Sequence, residues 1–104
     1  MTEYKIQLAA KAKQDIRDIH NYITHQLKEP AIADRLLEQI DAEILKLQIM
    51  PLRHALERDE QLKLRHLRKL MIENYLVFYR VHEKTETVFI VRVLYGKRDW
   101  VNLL

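Results

Sequence analysis

The chain has 104 residues, a formal net charge of +3, one glycine, two prolines and no cysteine. That length supports one domain, residues 1–104, with one modest core. The absence of cysteine excludes a disulfide framework and a thiolate zinc site, and so little glycine and proline argues against long flexible linkers. No apolar run approaches the roughly 20 residues that span a bilayer. No basic start leads into an apolar signal-like run, so a cytoplasmic protein without membrane contact is expected.

Tyr4 to Leu8 alternates apolar and polar residues, as a half-buried strand does. From Ala9 the period changes. Ala12, Ile16, Ile19, Ile23 and Leu27 fall on one helical stripe, and Asp15, Arg17, Asp18, Asn21 and Gln26 take the other face. Pro30 suits the first turn of a second helix. Its stripe is Ala33, Leu36, Leu37, Ile40, Ile44 and Leu47, ending before Met50-Pro51. Residues 52–63 form a charged connection of weak periodicity.

Three strands follow: one around Leu67–Leu70, then Tyr75–Val81, then Val88–Tyr95, joined at Glu73-Asn74 and at Glu83–Glu86. Lys97 to Leu104 is a short tail, with room for one helical turn. The order is βααβββ. Helices grouped before strands give an α+β fold, an N-terminal helical hairpin packed on one face of a small, mainly antiparallel sheet. Facing the arginine-free sets of the last two strands toward the helices pairs Tyr79 with Val91 and Val77 with Val93. That register needs an odd-numbered loop, and it sets Arg80 and Arg92 as diagonal neighbours on the exposed face.

The charge is uneven. Residues 1–52 carry 7 Lys/Arg against 8 Asp/Glu, a net −1, and residues 53–104 carry 11 against 7, a net +4. A basic second half points to an acidic partner, nucleic acid or protein. Arg80 and Arg92 stand among apolar neighbours, so each either meets such a partner or pairs with Glu73, Glu83 or Glu86. Tyr75, Tyr79 and Phe89 read as core. His20, His25, His54 and His82 share no ligand spacing, and there is no Gly-rich phosphate loop. No metal and no cofactor are expected.

Leu67-Arg68-Lys69-Leu70, then Tyr75-Leu76-Val77-Phe78-Tyr79-Arg80-Val81, then Val91-Arg92-Val93-Leu94-Tyr95-Gly96-Lys97-Arg98-Asp99, all after a helical hairpin, resembles the RelE/ParE superfamily of type II toxins. These are the toxic halves of bacterial toxin–antitoxin pairs. The resemblance covers essentially the whole chain. It implies a cognate acidic antitoxin as partner, with operator DNA met only through that antitoxin. It also implies one of two activities. ParE-like members inhibit DNA gyrase and are linked to plasmid stabilization. RelE-like members are ribosome-dependent mRNA endonucleases.

RelE-like nucleases carry an arginine just after the tyrosine that opens the third strand, where this chain has Leu76. They also tend to end with a late Tyr or His, where this chain has Val101-Asn102-Leu103-Leu104. The ParE-like arrangement is the better match. Attack by an RNA 2′-hydroxyl needs a base, an acid and a cation for the phosphorane. If the chain were a nuclease, His66, Arg68, Tyr95 and Arg98 would be the catalytic candidates. Under either activity, Arg68, Lys69, Arg80, Arg92, Tyr95, Lys97, Arg98 and Trp100 are the candidates for target or antitoxin contact. A third possibility is an inactive toxin that only binds its antitoxin and serves operon autoregulation.

Overall fold

A short strand, β1 (Lys5–Leu8), leads through Ala9 into helix α1 (Ala10–Asn21). The computed structural model describes residues 3–52, 66–97 and 103. Ala12 is buried, and Ile16 and Ile19 pack partly buried against the core, as the spacing requires. α1 then widens into a π-helical turn, Tyr22–Gln26, in which the Leu27 N–H donates to the Tyr22 carbonyl at 3.1 Å. A π turn closes its bond over one more residue than an α turn, so the apolar stripe swings off line after Ile23. Ile23 is buried, but Leu27, expected to continue the stripe, is 52% exposed.

Helix α2 (Pro30–Leu45) starts on its proline, where a missing N–H costs nothing. Its buried positions are Ala33, Leu36, Ile40 and Ile44, and Leu47 is buried in the 3-10 turn that follows, Lys46–Gln48. The second stripe therefore forms as its spacing indicates. The charged connection expected over residues 52–63 lies, beyond Leu52, outside the described residues, and so does the tail apart from Lys97 and Leu103.

Strands β2 (Arg68–Ile72), β3 (Tyr75–His82) and β4 (Thr87–Tyr95) complete a sheet of order β1-β4-β3-β2. β2–β3 and β3–β4 are antiparallel, and β1 runs parallel to β4. This is the α+β arrangement expected. The helices cover one face, where Ala12, Leu36, Ile40 and Ile44 join Leu70, Val77, Val88, Ile90 and Val93 in the main core. On the opposite face Leu67, Leu76, Phe78 and Leu94 form a second buried cluster. Among the described residues, no helix is long and apolar enough to cross a membrane.

The β3–β4 register corrects the sequence reading in part. Val77 does face Val93, but Tyr79 faces Ile90 and not Val91. The loop between His82 and Thr87 has four residues, an even number, so the hairpin starts in the other parity. Val91 is then an extra residue, a β-bulge between the Phe78–Arg92 and Tyr79–Ile90 pairs. Before the bulge Val88 and Ile90 face the helices; after it Val93 does. One inserted residue thus switches which parity of β4 enters the core.

The bulge puts Arg92 on the face of Phe78, yet its guanidinium reaches the first helix. Its Nε and one terminal nitrogen donate to the two carboxylate oxygens of Asp15, at 2.7 and 2.9 Å. Asp15 also accepts the Val93 N–H at 2.9 Å, and the other Arg92 terminal nitrogen donates to the Leu103 carbonyl at 2.9 Å. The two side chains are 11% and 14% exposed. Asp15, placed by its spacing on the solvent face of α1, therefore sits inside. The hydrogen bond to Asp15 holds the Arg92 guanidinium further above its ordinary pKa, against the lowering effect of burial.

Removing one partner of such a pair leaves a charge poorly solvated. Asp15→Ala is expected to destabilise the fold by about 3 kcal/mol in urea unfolding, and Asp15→Leu with Arg92→Met by clearly less. Glu86 holds φ of 50° in the hairpin loop, a conformation that strains any residue but glycine. Glu86→Gly is expected to raise stability by up to about 1 kcal/mol in the same assay.

Candidate functional site

The structure scatters the residues named from sequence. Cross-strand partners share a face, so Arg68, opposite Tyr79, lies on the helix side, and Lys69, opposite Phe78, lies on the other. Arg80, opposite Phe89, is exposed on the side away from the helices, where the His82 ring meets Phe89 edge-on at 4.9 Å. Arg92 faces Phe78 by register, one step from Arg80, but its guanidinium is committed to Asp15 and Leu103. Lys97 is exposed. Arg98, Asp99 and Trp100 lie outside the described residues.

Of the four nuclease candidates, Arg98 lies outside the described residues, and the other three stand on different elements. His66 is exposed, in a left-handed turn before β2 (φ 55°). Arg68 stands opposite Tyr79, and Tyr95 opposite Tyr75. Along the strands those two positions are four residues, about 13 Å, apart, and they lie on strands either side of β3. Leu76 is 3% exposed and packed with Leu67, Phe78 and Leu94. Among the described residues no group of three His, Asp or Glu side chains could hold a metal ion.

A concave site does exist, where the end of the β3–β4 hairpin meets the π turn. It is a groove of about 620 Å³ lined by Asp15, Asp18, Ile19, Tyr22, Leu27 and Asn74, together with Tyr75, Val93, Leu94 and Tyr95. The register brings Tyr75 and Tyr95 together, with ring centroids 5.6 Å apart and planes tilted by 55°. Gly96 closes this end. Its N–H donates to the Asn74 carbonyl at 2.7 Å, and a Cβ on Gly96 would stand 3.2 Å from that same oxygen. Burial, then the neighbouring Tyr95, Tyr22 and Glu73, push the Tyr75 phenol above its ordinary pKa.

Of the groove residues, sequence reasoning named only Tyr95 as a candidate. Tyr22, Leu27, Asp18 and Asn74 escaped it, because the π turn that swings Tyr22 and Leu27 to this side leaves no mark in the hydrophobic period. The usable signal was the aromatic Tyr22 beside the polar stripe of α1.

A family model described as ParE toxin of type II toxin-antitoxin system, parDE, matches residues 6–100. Among solved structures, the chromosomal ParDE TA system from P. aeruginosa is similar at 20% identity and a TM-score of 0.74, with 91% of this chain and 98% of that chain covered. The toxin-antitoxin complex RelBE2 from Mycobacterium tuberculosis is similar at 21% identity and a TM-score of 0.68, covering 91% of this chain and 93% of that chain. A mutant of the E. coli toxin RelE in the free state gives 14% identity and a TM-score of 0.68, covering 97% and 92%. At these identities the likeness is one of fold. Comparison with curated proteins gives no match.

The raised Tyr75 pKa makes a stability statement. The folded state resists forming the tyrosinate, so this contribution is intact below the unfolded value near pH 10 and is lost as pH rises toward the folded value. Tyr75→Phe is expected to flatten the fall in unfolding free energy above about pH 10. Tyr95→Phe, which removes one of the two neighbouring phenols, is expected to bring the Tyr75 titration partway down in ultraviolet absorbance.

Proposed function

We propose that this chain, which belongs to the ParE toxin family of type II toxin–antitoxin systems, inhibits DNA gyrase by binding and carries no nuclease chemistry. The observation that carries this reading is Leu76. RelE-like nucleases place an arginine at that point of the third strand, and here a leucine is 3% exposed within an apolar cluster. A phosphate could be brought there only by stripping its water against hydrocarbon. The separation of Arg68 from Tyr95 supports the same conclusion.

Inhibition by binding needs only a surface. The C-terminal strand and tail, Arg92 to Leu104, supply it, with exposed Lys97 next to Arg98 and Trp100 in the sequence. Arg92 holds the Leu103 carbonyl at 2.9 Å, so its part is to brace the tail. A cognate acidic antitoxin neutralises the toxin by laying a helix or strand over its grooves and carries the pair to operator DNA. The pair acts in the cytoplasm.

The purified protein is expected to inhibit supercoiling by bacterial gyrase, and Arg98→Ala to weaken that inhibition about tenfold. Unaffected supercoiling at large excess would overturn the reading. Ribosome-dependent mRNA cleavage would then be the activity to test.

A further inference from the structure

The groove between the π turn and the hairpin end differs in charge from the chain that carries it. The protein is net positive, yet among the described residues the groove walls hold two carboxylates and three phenols and no Lys or Arg. Asp15 is neutralised by Arg92. Asp18 is not. It accepts a hydrogen bond from the Gln14 amide at 2.7 Å and has no cation partner among the described residues. Tyr22, Leu27 and Tyr95 leave 54%, 52% and 37% of their surface open beside it.

A cation with a flat face fits these walls. A guanidinium can stack on a tyrosine ring while it hydrogen-bonds a carboxylate, and its aliphatic stem can lie on Ile19 and Leu27. An ammonium offers no plane to stack. We propose that the groove receives an arginine side chain carried on an apolar segment of the antitoxin, with Tyr75 and Tyr95 as the stacking wall and Asp18 as the counter-charge. This rests on the family-level reading of the chain as the toxin half of a pair, and it is independent of the gyrase target. An antitoxin that is acidic overall would therefore keep one basic residue at this point, and toxins lacking Asp18 or the tyrosines would not accept it.

The test is an NMR titration of the isolated protein with N-acetylarginine methylamide, following the Tyr22, Tyr75 and Tyr95 ring resonances. Saturable shifts at roughly millimolar affinity are expected. Asp18→Asn, a change at an exposed site that leaves the core untouched, is expected to weaken binding about fivefold. The norleucine analogue is expected not to bind, and the purified toxin–antitoxin complex is expected not to bind the arginine analogue. Equal binding of the norleucine analogue, indifference to Asp18→Asn, or no binding by either analogue would overturn the cation site. Undiminished arginine binding by the complex would overturn the antitoxin as its occupant. No gyrase enters the measurement, so its failure is separate from failure of the gyrase reading.

Discussion

The Asp15–Arg92 pair joins three parts of the chain at one point. Asp15 comes from the first helix, Arg92 from the strand just past the bulge, and the Leu103 carbonyl from the C-terminal tail. Two nearly covered charges are tolerable only if each meets its full set of partners. Both Asp15 oxygens are used, and each Arg92 nitrogen donates once. The demand runs both ways: α1 must place Asp15 beside the Val93 amide, and Arg92 must reach it from the Phe78 face of the strand. Helix, bulge and Leu103 are thereby fixed together.

Most of the architecture was legible because long apolar patterns are hard to satisfy in more than one way. The stripe from Ala33 to Leu47 is a helix and buries as its spacing demands. What escaped depends on single residues. The Val91 bulge changes the face of half a strand, yet an even loop plus a bulge and an odd loop without one both leave Val77 opposite Val93. Likewise the π turn displaces Leu27 by a fraction of a turn that no four-residue spacing reveals. Asp15 read as a solvent-facing acid because its partner lies 77 positions away. Local pattern carries no information at that range.

The two faces of the sheet divide the chemistry. The helix side keeps Tyr79 buried, with Arg68 opposite it and the tyrosine-lined groove at the far end. The other side mixes an apolar cluster around Leu76 and Phe78 with Lys69 and Arg80. A basic sheet face, as the sequence suggests it, is therefore not one surface. Its described cations lie on both faces, and Arg92 is spent on internal structure.

The Val93 amide has a further consequence. β1 pairs with β4 only as far as Ile90, whereas β4 runs on to Tyr95. Past that point β4 has no strand partner on its outer side among the described residues, and a free N–H there would template another extended chain. Asp15 occupies the Val93 N–H with a carboxylate, which a foreign strand cannot easily displace without also freeing Arg92. The same acid that fixes the helix thus also fills the ladder position that a further strand would need.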